Sequence, residues 1–299
     1  MCRLFAQHAS PDHDLREPLC RARNALRVQS HEHRHGWGIG WYDADGTVRI
    51  RRGLMAAHAD DAFVDAAQSA RSEIVVAHVR DASVGPVAEA NTHPFAHGPW
   101  LFAHNGTVAR FRQVARVRRA LESEIDPVLR GAIRGDTDSE RCLFVFLTRL
   151  RVLLRPSVRP RLEDVRAALA ETVEVVARIA DERSAKPSSL NLAVSNGDVL
   201  AACRHGRTLH IAPHLATGGA FAVASEPIGP GPWREVPEEG FVGVDAEHRV
   251  LASMLHAGRR TLAPTPRRAQ RSARTGVEIE PGELGWTQRR SVAGRDPAR

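Results

Sequence analysis

Residues 36–42 read Gly-Trp-Gly-Ile-Gly-Trp-Tyr, an alternation of glycine with large apolar side chains. On a β-strand successive side chains point to opposite faces, so this spacing puts the glycines on one face and Trp37, Ile39 and Trp41 on the other. A strand with one bare face suits close approach by another stretch of backbone. Asp45-Gly46 then turns the chain into a partner strand around residues 48–51. Two apolar runs bounded by Gly and Pro, at 74–80 and 100–104, read as buried strands. Segments 12–27 and 59–71, rich in Ala, Leu, Arg and Asp, read as helices.

From Asp138 to Leu154 apolar positions recur at helical spacing, and Asp136, Thr137 and Asp138 offer N-cap chemistry at the start. A second long helix is expected over about 161–183, with Leu162, Val165, Leu169, Val173, Val176 and Ile179 along one face. The rest is β again: 190–195, a turn at Asn196-Gly197, then 198–204, 208–212, 220–225 and 240–245. Strands, then two helices, then strands favours an α+β fold, with helices layered on packed antiparallel sheets, over a repeated βαβ unit.

The chain has 299 residues, of which 42% are hydrophobic, enough for one large core or two small ones. A disulfide-stapled miniprotein, a collagen-like chain and a wholly disordered chain are excluded. The net charge of +7 would point to nucleic acid or an anionic membrane if it covered a folded face. It does not: residues 257–299 hold ten arginines against four acids, so all but +1 of the charge lies in that tail. The tail shows no sustained periodicity and is read as a mobile appendage. The cysteines, Cys2, Cys20, Cys142 and Cys203, include no CxxC pair. With no signal-peptide run and no apolar stretch near the ~18 residues a membrane span needs, the chain reads as cytoplasmic with reduced thiols.

Cys2 follows the initiator Met, and methionine removal would put its thiol on the same residue as a free α-amine. Such an amine titrates near ~7.7–8.0 and can accept the thiol proton, so one residue would be nucleophile and base. Arg80, ending His78-Val79-Arg80, suits a forked contact with a carboxylate, the alternative being a structural ion pair. Asn105-Gly106 after a strand reads either as a hairpin turn or as an oxyanion hole, made from the Asn amide and an adjacent backbone N–H. Asp138, in Gly135-Asp136-Thr137-Asp138-Ser139-Glu140, is a helix-capping acid or an acceptor for an α-ammonium group. Arg80 with Asp138 would clamp both ends of a free α-amino acid.

In this order, Met1-Cys2, His-Val-Arg at 78–80, Asn-Thr-His-Pro-Phe at 91–95, His-Asn-Gly at 104–106 and Gly-Asp-Thr-Asp-Ser-Glu at 135–140 resemble the class II (N-terminal nucleophile) glutamine amidotransferases. His-Gly-Trp-Gly at 35–38 is similar to the family's Asp-Gly-Trp-Gly strand, with His35 in place of Asp. Ala-Ser-Glu-Pro at 224–227 resembles stand-alone, glutaminase-type members, and the chain is also similar to the γ-glutamyl amidohydrolases of ergothioneine biosynthesis. The resemblance implies a four-layer αββα sandwich of the N-terminal nucleophile hydrolase type. It implies a type-2 glutamine amidotransferase domain over 2–256, with the Arg-rich tail, 257–299, outside it. Cys2 would be the nucleophile, its amine the base, and Asn105 with the Gly106 N–H the oxyanion hole. Arg80 and Asp138 would hold the substrate's α-carboxylate and α-ammonium. No cofactor and no metal is implied. His78, His93 and His104 are read as packing or hydrogen-bonded positions near the site, without an assigned role.

The activity implied is hydrolysis of glutamine to glutamate and ammonia through a γ-glutamyl thioester, either as simple hydrolysis or with a separate acceptor or synthase protein taking up the ammonia. The alternative within the family is a larger γ-glutamyl conjugate as substrate. An alternative of another class is a non-enzymatic basic protein whose Arg-rich tail grips nucleic acid or a membrane, with Cys2 irrelevant. His31-Glu32-His33-Arg34-His35 has strand-type metal spacing but reads as a polar loop. Cys20, Cys142 and Cys203 read as small buried hydrophobes.

Overall fold

A computed structural model describes residues 2–11, 13–154, 158–215 and 220–257. The chain starts with β1 (Arg3–His8), makes the single turn α1 (Leu26–Gln29) and forms the hairpin β2 (Trp37–Tyr42) and β3 (Val48–Gly53). Helix α2 (Asp61–Ser69) leads to β4 (Ile74–Val79), β5 (Phe95–His97) and β6 (Trp100–Thr107). Then come α3 (Ala115–Ser123), the one-turn α4 (Pro127–Arg130) and the long helices α5 (Asp138–Leu153) and α6 (Leu162–Ala180). The last part is β7 (Ser189–Ser195), β8 (Val199–Cys203), β9 (His210–Leu215), β10 (Ala220–Ala224), β11 (Arg234–Glu235), β12 (Gly240–Asp245) and β13 (Val250–Met254).

The strands form two antiparallel sheets, one of seven in the order β11-β9-β10-β1-β4-β2-β3 and one of six in the order β13-β12-β8-β7-β6-β5. The β2 alternation explains how they stack. Trp37, Ile39 and Trp41 join Phe63, Ala66 and Ala67 of α2 in a core on the outer face of the first sheet. There Trp37 meets Phe63 edge to face at 5.2 Å and donates from Nε1 to Asp60 Oδ2 at 2.8 Å. Gly38 and Gly40 face the other way, towards the second sheet. A Cβ on Gly38 would lie 2.1 Å from the His93 carbonyl oxygen, and one on Gly40 would lie 2.9 Å from Leu101 Cδ2. Leu4, Ala6, Ile74, Val76, Leu101 and Ala103 fill the space between the sheets. The outer face of the second sheet packs on α5 and α6 through residues such as Phe102, Leu192, Phe144, Phe146 and Leu169. The result is a four-layer α-β-β-α sandwich.

Two expectations change. Segment 12–27 is no continuous helix: it holds a five-residue π-helical turn, Glu17–Arg21, and α1, separated by Asn24 at a positive φ of 64°. Pro18 near the start of the first turn withholds a backbone donor, which limits its growth. Asn105-Gly106 is no hairpin turn, because β6 runs on through Thr107 with Asn105 opposite Asn191 and Gly106 opposite Leu190. Asn196-Gly197 does turn the chain between β7 and β8, with Gly197 at φ +92° and Asn196 Oδ1 accepting from the N–H groups of Asp198 and Val199. The tail beyond Ala257 lies outside the described residues.

Candidate active site

The site is built where β1 begins and β4 and β6 end. β1 is the central strand of its sheet, and its Arg3 pairs with Val79 of β4, so Cys2 stands opposite Arg80. The Cys2 thiol is clasped by the backbone of Asp81: Sγ is 3.5 Å from the Asp81 carbonyl oxygen and 3.4 Å from its N–H. Burial pushes this thiol's pKa up, against smaller opposing effects from the Asp81 backbone and Arg80. The thiol therefore needs a base to become a nucleophile at neutral pH.

Along β4, Val75, Ala77 and Val79 face the outer core, while Ile74 and Val76 face the second sheet, and His78 and Arg80 continue that inner row. Arg80 is 2% exposed and has no carboxylate partner among the described residues. Its Nη2 donates to the carbonyls of Val84 (3.0 Å) and Gly85 (3.4 Å), and its Nη1 to that of Pro86 (3.1 Å). Burial lowers its pKa, and the nearby Cys2 and Asp138 raise it; the guanidinium stays charged. Asn91 steadies this loop, donating to Pro86 O (3.1 Å) while its Oδ1 accepts from Asp136 N (2.7 Å). That second bond ties the loop to the start of α5.

Thr137 caps α5, its hydroxyl accepting from Glu140 N at 3.2 Å. Asp138, the first helical residue, is buried: Oδ2 accepts from Val108 N (2.7 Å) and Oδ1 from Ser139 N (2.9 Å). No hydrogen bond or ion pair joins it to Arg80 among the described residues. Asn105 lies on the inner face of β6 with its Nδ2 2.9 Å from Ser225 Oγ, and its Oδ1 is buried without a partner. A Cβ on Gly106 would lie 1.8 Å from the Ser189 carbonyl oxygen, so only glycine fits there. β5 pairs with β6 only as far as Phe102, which leaves that edge of β6 without a strand partner beside Asn105 and Gly106.

The three buried histidines differ. His104 Nε2 is 2.9 Å from Ser189 O, which can only accept, so Nε2 carries the proton and Nδ1 accepts from Ser139 Oγ at 2.9 Å. His78 stacks on His93 at 4.1 Å, and none of their four ring nitrogens has a partner at full hydrogen-bond geometry among the described residues. Burial holds both neutral, His78 at about 3 and His93 well below the usual range.

Several residues around the site were not assigned to it from the sequence. Asp81 acts through its backbone, which no residue type announces. His35 lies 3.1 Å from Asp81 Oδ1 and accepts from Ala82 N at 3.0 Å. His33 is buried and lowered to about 4 by burial and then by Arg3, with Nδ1 unpartnered. His31 instead stacks on His58 at 3.9 Å, so the 31–35 run forms no three-ligand group among the described residues. The side chains that do converge are His205, Glu238 and Glu239, with ligand atoms within 4.8 Å. Arg204, 3.2 Å from Glu238, already supplies a cation there. Cys142 and Cys203 are buried with raised pKa values, whereas Cys20 is half-buried. No described helix is long and apolar enough to cross a membrane.

Residues 1–218 match the sequence model described as glutamine amidotransferases class-II. A γ-glutamyl-hercynylcysteine sulfoxide hydrolase of Mycolicibacterium smegmatis is 29% identical over 268 residues, covering 85% of this chain and 100% of the relative. The protein of that name from Mycobacterium tuberculosis H37Rv is 30% identical over 242 residues, covering 77% of this chain and 87% of the relative. Among solved structures, a glutamine aminotransferase class-II domain protein from Silicibacter pomeroyi superposes with a TM-score of 0.61. It is 22% identical, with 84% of this chain and 96% of that one covered, a likeness of fold.

Proposed function

The chain belongs to the class II glutamine amidotransferases, and from that premise we propose that it hydrolyses a γ-glutamyl amide through a thioester on Cys2. The observation that carries this reading is the Cys2 thiol held beside a buried Arg80 guanidinium that has no carboxylate partner among the described residues. A buried cation of that kind is half of a recognition site for a substrate carboxylate.

With Met1 removed, the α-amine of Cys2 takes the thiol proton and Sγ attacks the γ-carbonyl carbon. The Asn105 amide and a β6 backbone N–H stabilise the oxyanion, while Arg80 and Asp138 hold the α-carboxylate and α-ammonium. The C–N bond breaks, the leaving amine carries away the proton, and water hydrolyses the thioester to glutamate. Residues 2–256 are the unit we assign this activity, in the cytoplasm, where the thiol stays reduced.

A γ-glutamyl conjugate with a leaving group larger than ammonia is the first substrate class, because the M. smegmatis relative, named for such a substrate, is matched over its whole length. Glutamine is the second, with its ammonia either released by simple hydrolysis or passed to a separate acceptor protein. The test is glutamate release from glutamine and from a panel of γ-glutamyl amides, with mass spectrometry of the N-terminus. Cys2→Ala, or an uncleaved N-terminal tag, should reduce release to background. Full activity in either would overturn the assignment of the nucleophile.

A further inference from the structure

Ser225, directly after β10, joins the two sheets at the catalytic end. It is 1% exposed. Its N–H donates to Leu4 O at 3.0 Å, and its Oγ accepts from Leu4 N at 3.0 Å. The same Oγ lies 2.9 Å from the Asn105 side-chain amide. With Nδ2 facing Ser225, the hydroxyl receives two donors and its own hydrogen meets no acceptor among the described residues, while Asn105 Oδ1 is buried with no donor. Burying an unpaired acceptor is unfavourable by about 1–3 kcal/mol. Half a turn of the amide about Cβ–Cγ, which exchanges atoms of nearly equal size, gives the Ser225 hydrogen an acceptor and Oδ1 a donor, and leaves the Nδ2 hydrogens as the donors still to be met. Ser225 O–H then donates to Asn105 Oδ1, Leu4 N–H still donates to one of the hydroxyl's two lone pairs, and Nδ2 turns to the side that has no protein partner among the described residues.

We propose that Ser225 is a positioning residue: its hydroxyl grips Asn105 Oδ1 and so aims the Asn105 NH2 group at the oxygen of the γ-carbonyl under attack. The inference rests on the proposed role of Asn105 and deepens it. Because the same hydroxyl accepts from Leu4, two residues from Cys2, one side chain sets the oxyanion donor relative to the strand that carries the nucleophile.

The test is steady-state hydrolysis of L-glutamine and γ-glutamyl-p-nitroanilide by Ser225→Ala, Ser225→Thr, Asn105→Ala and the Ser225→Ala/Asn105→Ala double variant. Urea midpoints and the rate of Cys2 alkylation by iodoacetamide are measured alongside. Losing an oxyanion donor lowers kcat by about 100-fold or more, so Asn105→Ala should fall that far, and Ser225→Ala by about 10-fold or more at nearly unchanged KM. Ser225→Thr, which keeps the hydroxyl, should recover most of kcat. In the Asn105→Ala background, Ser225→Ala should add less than about twofold. Alkylation should be unaffected, since the thiol does not depend on Asn105. A parallel fall in alkylation, or a full Ser225→Ala effect without Asn105, would show that Ser225 acts through Leu4 and overturn the proposal. Loss of kcat in Asn105→Ala with none in Ser225→Ala would also overturn it. Wild-type kcat in Asn105→Ala would instead remove the oxyanion role of Asn105 itself.

Discussion

At Cys2 the thiol is pushed above its ordinary pKa by burial, so a resident thiolate and a base-generated one give different pH profiles. If the α-amine takes the proton, kcat/KM should rise with unit slope and level off near about pH 8, where that amine becomes neutral. A rate still climbing beyond about pH 9.5 would assign the limiting titration to the thiol. Glycine positions make sharper demands. Gly38→Ala puts a methyl 2.1 Å from a carbonyl oxygen on backbone that cannot yield. A loss of about 3 kcal/mol or more is expected in urea unfolding, and a loss under about 1 kcal/mol would mean that the sheets part easily. The alternation at 36–42 makes that residue legible in the sequence. Ser225 and Asp81 were not legible as site residues, because each acts through groups any neighbour could offer, brought close only by folding.

At the scale of elements, the N-terminus of α5 and the clip between β8 and β12 can be tested separately. Thr137→Ala removes the cap one residue before Asp138 and should lower stability by about 1 kcal/mol while raising KM for a γ-glutamyl amide. An unchanged KM would uncouple the cap from substrate binding. His205, just after β8, bonds Glu239, just before β12, and so its pKa is raised, while that of Glu239 is lowered to about 2. The histidine's contribution is complete below its unfolded value and fades as pH rises through the raised one. The carboxylate's contribution is complete above its unfolded value and fades as pH falls towards about 2. The pair should therefore help most between about pH 4.5 and 6.5, and the Tm gap between wild type and His205→Ala should narrow towards pH 9. A gap independent of pH would refute the ion pair. Helices α5 and α6 were legible from apolar spacing and capping acids. The 12–27 segment was not, since helix-favouring composition there is overruled by Pro18 and by Asn24, held at positive φ. Asn105-Gly106 misleads for the opposite reason: a turn dipeptide is drawn into a strand by its seven-residue pairing with β7.

For the whole molecule, the question set by a +7 chain is whether the charge takes part in the activity. Truncation after Ala257 removes ten arginines and four acids. Glutamate release should be unchanged by it; a large loss would put the tail in the reaction. The layering of helices on antiparallel sheets followed from the order of strands and helices, and its four-layer αββα form from the family resemblance, while the order of strands within each sheet did not, because pairings such as β1 with β10 join residues more than 200 apart. That pairing has a consequence for how the protein is made. Phe5 waits for Ala224 while 219 further residues are translated, an interval of roughly 10–40 s at ~5–20 residues per second. During it, one edge of β1 has no native neighbour, and the segment holding Cys2 cannot settle in its final seat. β1 is thus locked only once β10 has been made, and a polypeptide halted between the two carries a thiol but no catalyst.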